Sequence, residues 1–426
     1  MQPVDDSGQN TRLQRRMFDL LPADRRRFLG IAGLAIAGAW IGTRDSVLQL
    51  ITTEPFRVPG ARDLASLGRA TAWLNSAPLT AADLRGKVVL VDFWTYTCIN
   101  WLRTLPYVRA WSQKYTQGLV VIGVHTPEFP FEHNLDNVHR AVSQMRIEYP
   151  VVIDNDYSIW RGFRNQYWPA LYLLDPRGRI RHKQFGEGEY ARSEQAIQRV
   201  LSEANVANAA NGIVSVDGGG FEAAADWNNL RTPETYVGYE RSENFASPNA
   251  AVLNQRRAYV APGRLGLNQW SLAGEWTMGT PATVLNKASG QIAFRFHARD
   301  VHLVMGPPRP ESRVRFRVTI DGQPPGAAHG IDVDESGNGT AVDQRLYQLI
   351  RQPAPIVDRT FAIEFLDAGV DEVDSEGSID DRLRLSRQLI QPLLAQRSVA
   401  ILVDVETVRG ARWLAVDRHA ETHRTL

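Results

Sequence analysis

The chain has one cysteine among its 426 residues. An intrachain disulfide is therefore excluded, and so is a metal site built from several thiolates. It also lacks a dominant charge: 48 lysines and arginines face 47 aspartates and glutamates, leaving a formal net charge of +1. No whole-protein field exists to gather a polyanion, which disfavours nucleic-acid partners. The apolar run from Ile31 to Ile41 is too short for the ~20 residues that a membrane-spanning helix needs. What the chain does have is length and a 43% hydrophobic composition, enough for two or more separately packed domains.

That short apolar run follows Arg25-Arg26-Arg27-Phe28-Leu29, and a basic cluster ahead of an apolar stretch fits an export signal. The cluster resembles the twin-arginine type. Gly30, Gly33 and Gly38, with apolarity all round, argue against an amphipathic helix. No small-x-small cleavage site follows Ala39-Trp40-Ile41, so residues 1–49 are expected to direct export to the periplasm or cell envelope and to be able to stay as an amino-terminal membrane anchor.

Residues 50–75 read as a connecting stretch with Pro55, Pro59 and Gly60 as breakers. Residues 87–94 form an apolar run interrupted only by Asp92, which predicts a strand covered on both faces. A helix is expected from Cys98 to about Tyr115, a second buried strand over 119–124, a helix over 134–145 and a strand over 151–154. That alternation implies parallel pairing. Residues 170–175 and 180–185 flank the turn Pro176-Arg177-Gly178-Arg179 and predict an added hairpin, and 193–204 a closing helix. The α/β domain is thus expected over 50–206, followed by a linker over 207–238.

Past the linker the period changes to two: residues 292–297 and 314–320 alternate, and turn clusters at 321–326 and 335–339 separate the strands. An all-β sandwich of the jelly-roll type is expected over 239–372. Arg313, Arg315 and Arg317 fall on its wet face. Residues 373–426 form a tail with a helix expected over 384–397 and a strand over 399–405.

The segment Val91-Asp92-Phe93-Trp94-Thr95-Tyr96-Thr97-Cys98-Ile99-Asn100-Trp101-Leu102-Arg103-Thr104-Leu105-Pro106 resembles the thioredoxin superfamily, particularly its TlpA and DipZ branches. Asp92, Cys98 and Pro106 sit at matching offsets, and Gly123-Val124-His125-Thr126-Pro127-Glu128-Phe129 and Tyr167-Trp168-Pro169-Ala170-Leu171 extend the likeness over about residues 60–205. Pro169 falls at the superfamily's cis-proline position. Trp101 stands where the second active-site cysteine would be. The resemblance implies a thioredoxin-like redoxin working by thiol–disulfide exchange, with neither cofactor nor metal. Residues 229–370 resemble the carbohydrate-module-like domain that ends DipZ proteins, and the tail from 371 departs from that pattern.

A thiol at the first turn of a helix faces unpaired N–H groups and the positive end of the dipole, so Cys98 is expected to be an acidified nucleophile. Burial should raise the pKa of Asp92 and let it exchange a proton near the sulfur. In thioredoxins the matching carboxylate assists the second cysteine, and with Trp101 there its role is open. Pro169, if cis, would offer the Trp168 backbone to an extended peptide. Trp94, Tyr96, Trp101 and Trp168 are expected to form an apolar rim for a partner. His125 and Glu128 follow a buried strand, at the end of a parallel sheet where sites collect.

Three functions remain open. A lone Cys98 can form a mixed disulfide with a protein or low-molecular-weight thiol but needs an outside thiol for release. Thr95, three residues before Cys98, matches part of a one-cysteine peroxidase pattern, although Val91 stands where that family has proline. The chain can also be a redox-silent binding protein whose sandwich takes a glycan, with Trp227, Tyr236, Tyr239, Trp270 and Trp276 as candidate stacking residues.

Overall fold

The structure is a computed structural model and describes residues 64–206, 212–280, 282–307, 309, 312–367 and 400–403. The expected signal segment and the expected helix over 384–397 lie outside these residues. Among the described residues, no helix is long and apolar enough to cross a membrane.

The α/β half is organised around strand β2 (Val88–Trp94), every residue of which is buried. An apolar strand with no wet face belongs in the middle of a covered sheet. It pairs in parallel with β3 (Leu119–His125), Val88 opposite Leu119 through Trp94 opposite His125. On its other side it pairs antiparallel with β5 (Ala170–Leu174). With β1 (Ala72–Leu74), β4 (Val151–Ile153) and β6 (Ile180–Phe185) these make a six-stranded sheet of order β1-β4-β3-β2-β5-β6.

Among the described residues, four α-helices accompany the sheet: α1 (Ile99–Lys114), α2 (Leu135–Gln144), α3 (Ser158–Phe163) and α4 (Tyr190–Glu203). Helix α1 begins directly after Cys98, its N-cap, and carries Pro106 inside. Helix α2 starts where the Asn134 side chain accepts from the N–H groups of Asp136 and Asn137, satisfying two donors that the first turn leaves open. Two apolar layers result. One, between the sheet and α1, α2 and α4, holds Trp94, Trp101, Trp111 and Val138; the other holds Val89, Phe93, Ile159, Trp160 and Tyr172.

The β-sandwich half contains ten strands among the described residues: β7 (Arg256–Tyr259), β8 (Trp270–Met278), β9 (Thr283–Leu285), β10 (Gly290–Phe296), β11 (Asp300–Met305), β12 (Val314–Ile320), β13 (Asn338–Ala341), β14 (Arg345–Arg351), β15 (Arg359–Phe365) and β16 (Ala400–Val403). One sheet runs β13-β12-β15-β10-β8-β7, with β9 also on β8; the other runs β14-β11-β16. Every pairing between these strands is antiparallel. The alternation in sequence becomes a two-faced strand: Ile292, Phe294 and Phe296 of β10 and Phe316 and Val318 of β12 are fully buried. They meet Val301, Leu303, Tyr347 and Leu349 of the second sheet in one core. Arg313, Arg315 and Arg317 are exposed as expected, and Arg315 pairs with Asp367.

Residues 207–238 are not a free tether in their described part. Val214 N donates to Glu194 Oε2 (2.7 Å), and Arg109 of α1 pairs with Glu222 (2.5 Å). Tyr236 joins the α/β core together with Val304 and Leu346, while the next residue, Val237, joins the sandwich core. Apolar side chains scattered among Gly and polar residues give no period, so this seam reads as loop from sequence although it is packed on both sides.

Candidate thiol site

At the end of β2 the chain turns through residues 95–97 and enters α1 at Cys98. The Cys98 N–H donates to Thr95 O (3.2 Å), and its carbonyl accepts the Leu102 N–H (2.9 Å), closing the first helical turn. Three residues on, Trp101 folds back over β2. Its Nε1–H donates to Asp92 Oδ2 at 2.9 Å, and its indole stacks on Trp94 with centroids 4.2 Å apart and planes 22° off parallel. The place of a second thiol is thus taken by a ring that fills the core and satisfies half of a buried carboxylate. Asp92 Oδ1 has no hydrogen-bond partner among the described residues. Burial pushes the Asp92 pKa up to about 7, and the Trp101 bond opposes that only in part.

The expected acidification of Cys98 is corrected by the structure. The N–H groups of Trp101 and Asn100 do favour thiolate, but burial outweighs them, and the nearby carboxyls of Glu128 and Glu234 act in the same direction as burial. The thiol is held well above its ordinary range. A helix start lowers a thiol's pKa through partial charges, and desolvation can exceed that when the sulfur is covered. Cys98 is only 9% exposed.

Glu128 keeps part of its surface, yet its carboxyl group is desolvated and its pKa rises to about 8, with Glu234 adding like charge. The Tyr236 hydroxyl donates to Glu128 Oε1 (2.5 Å), and the Arg241 guanidinium lies 3.9 Å from the centre of the Tyr236 ring. Glu234 has the same surroundings: burial raises its pKa while Tyr236 and Arg241 lower it. Two carboxyls, Glu128 and Glu234, therefore act on the thiol, and the phenol and guanidinium that contact Glu128 and Tyr236 come, like Glu234, from beyond residue 230.

Glu132 was not anticipated. Its Oε1 accepts from Thr97 Oγ1 (2.6 Å), and its Oε2 from the N–H groups of Glu128 (2.6 Å) and Phe129 (2.8 Å), which ties the loop after β3 to the residue before the thiol. The signal for it is a capping arrangement: Pro130 opens a turn and Glu132 reaches back to the Phe129 N–H.

The aromatic rim is also corrected. Trp94, Tyr96 and Trp101 are 0%, 3% and 0% exposed and belong to the core under the sheet. His125 lies among them, stacked on Tyr96 (5.8 Å) and edge-on to Trp94 (4.9 Å), with neither ring nitrogen hydrogen-bonded to a described residue. Burial and His133 push its pKa down to about 3, so it is a neutral core group. Only Trp168 keeps surface; its Nε1 donates to Thr126 O (3.0 Å), its ring lies on Trp160 (4.2 Å), and the Trp168–Pro169 peptide is cis. In the sandwich, Trp270 and Trp276 are fully buried and Tyr236 is engaged at Glu128, so these three do not stack on a sugar; Trp227 and Tyr239 are exposed.

A central strand carrying a buried carboxylate, leading into a helix capped by the chain's one cysteine, defines a thioredoxin-fold protein with an indole at the second active-site position. Residues 86–180 match the family described as thioredoxin-like, and residues 232–372 the family described as thioredoxin like C-terminal domain. Protein DipZ of Mycobacterium tuberculosis is 37% identical over 257 residues, covering 58% of this chain and 36% of DipZ. The chain thus spans about a third of that relative's length. The thiol-disulfide oxidoreductase YkuV of Bacillus subtilis is 30% identical over 132 residues, covering 31% of this chain and 89% of YkuV. A solution structure of a thioredoxin-like protein in the oxidized form shares 31% identity over 31% of this chain and 90% of its own, with a TM-score of 0.30. The chain belongs to the thioredoxin-like family of thiol-disulfide oxidoreductases.

Proposed function

We propose that this is an extracytoplasmic thiol protein that acts through Cys98 by forming a mixed disulfide with a protein or low-molecular-weight thiol. The observation that carries the reading is Cys98 at the start of α1, with the N–H groups of Asn100 and Trp101 directed at a sulfur that has no second thiol beside it. The basic and apolar segment at residues 25–41 supports export.

In the forward step the Cys98 sulfur attacks one sulfur of a partner disulfide. A Cys98–S–S–R bond forms, the partner's S–S bond breaks, and the departing thiolate takes up the proton that Cys98 gives up. Release needs a second, external thiol. Because burial holds the Cys98 pKa high, little thiolate exists at neutral pH, and Cys98 is a poor leaving group once linked. Both effects favour slow capture and a long-lived adduct over rapid turnover. Trp168, the one member of the expected rim that keeps surface, marks the side from which a partner peptide approaches. The one-cysteine peroxidase reading is not favoured, since the Thr95 hydroxyl is buried next to Glu132 and makes no bond to the sulfur.

The test is incubation of the full chain with oxidised glutathione, read by intact mass. One glutathione is expected on the wild type and none on Cys98→Ser. If the wild type stays unmodified while its unfolded form is labelled, the redox reading is wrong.

A further inference from the structure

Thiol–disulfide exchange needs three sulfurs brought into line, and a covered sulfur has no room for the other two. The apolar cluster that buries Cys98 includes residues from beyond the α/β half, Val304 and Leu346 among them. Tyr236 packs in the same core cluster as Cys98, with its ring 6.4 Å from that of Phe129 and its hydroxyl on Glu128. Glu234 stands near enough to act on the thiol's ionisation.

The segment bearing these groups is fastened to the sandwich on both sides. The His297 N–H donates to Thr232 Oγ1 (2.7 Å), Thr283 Oγ1 donates to Val237 O (2.6 Å), and the Tyr239 N–H donates to Gly279 O (2.9 Å). Val237 is fully buried in the sandwich core. Tyr236 is therefore held as part of the sandwich rather than as a loose flap, and its contacts with the α/β half include the Phe129 ring and the short hydrogen bond to Glu128.

We propose that the β-sandwich gates Cys98, with Tyr236 as the latch: in the closed arrangement Tyr236 holds Glu128 and covers the sulfur, and a partner reaches the thiol only when the Tyr236–Glu128 contact parts. The gate deepens the reading of Cys98 as the reacting group, because it controls entry to that same sulfur. It also gives the second half of the chain a role beside the thiol that needs no ligand of its own.

The experiment compares alkylation rates of the full chain at one pH with a small reagent, iodoacetamide, and a bulky maleimide. Wild type is expected to react far more slowly with both than the unfolded chain does. Tyr236→Phe, which keeps the ring and loses only the hydroxyl, should speed alkylation about five- to tenfold, the loss expected for one hydrogen bond to a carboxyl group. Tyr236→Ala should gain more, and more with the maleimide than with iodoacetamide, since opening space helps the larger reagent most. In Tyr236→Ala a change in thiol ionisation alone would speed both reagents equally, and that result, like no acceleration in either variant, overturns the gate. Should Tyr236→Ala fail to fold, Tyr236→Phe decides. Glutathione linkage is scored separately on the same samples. Fast alkylation of the variants without any adduct would leave the gate standing and remove the redox reading, whereas adduct formation at wild-type rates in all variants would do the opposite.

Discussion

Trp101→Ala is expected to lose on the order of 3–5 kcal/mol of stability, the range for emptying a fully buried large aromatic site. Trp101 is 0% exposed, stacks on Trp94 and supplies the hydrogen bond that Asp92 Oδ2 accepts. Removing the indole opens a cavity between α1 and β2 and leaves a buried carboxyl without its donor. The measurement is the guanidinium midpoint of the reduced chain, with Trp101→Phe as control. Phe keeps most of the packing and loses the N–H, so its cost should be about 1–3 kcal/mol. Trp101→Cys restores the Cys-x-x-Cys spacing that the family uses, but it empties nearly the same volume as the alanine variant. Any disulfide reductase activity it gains should therefore be measured at a temperature where it is still folded. An unfolding midpoint for Trp101→Ala equal to wild type would show that the indole is not the keystone of this site.

The second large effect concerns Asp92 and pH. In the folded chain its pKa is raised to about 7, against an ordinary aspartate value of about 3.9. Between those values the native state binds more protons than the unfolded state, so stability falls as pH rises. The stabilisation is fully present below about pH 4 and lost as pH passes through 7, a change on the order of a few kcal/mol. Asp92→Asn should remove this contribution. Its Oδ1 can still accept from Trp101, so the variant should match wild type near pH 4 and exceed it at pH 8. Glu128, raised to about 8, pulls the same way and leaves both chains with some residual slope. Unfolding midpoints at pH 5 and pH 8 check this; parallel losses in wild type and Asp92→Asn would exclude a buried, neutral Asp92.

The strand–thiol–helix unit was legible because its signals are local. An apolar run with one carboxylate names β2, and an apolar, proline-bearing helix pattern names α1. The expected strand over 151–154 and helix over 134–145 agree with β4 and α2 to within a residue or two at each end. Strand β1, with three residues, and helix α3, with six, are too short to show a period, and β1 fell inside the stretch read as connecting. The strand expected over 399–405 appears as β16, paired with β11.

The site was legible in its residues and not in its energetics. Asp92, Cys98, Trp101 and Glu128 all lie where the motif puts them. That Cys98 is hard to ionise depends on its burial and on the like charge of Glu128 and Glu234, and Glu128 is in turn bonded to Tyr236, 108 positions later in the chain. No window along the sequence holds both. The aromatic residues failed for a related reason: Trp94 and Tyr96 look the same in sequence whether they face a partner or a core, and only the stack on Trp101 and the contact with His125 decide it.

A lone thiol exposed to oxidants normally invites two side reactions, dimerisation through its own kind and progressive oxidation by peroxide. Buried and largely undissociated, Cys98 is expected to resist both. Stored without reductant, the protein should migrate as a monomer on a non-reducing gel and keep its sulfur at the thiol level.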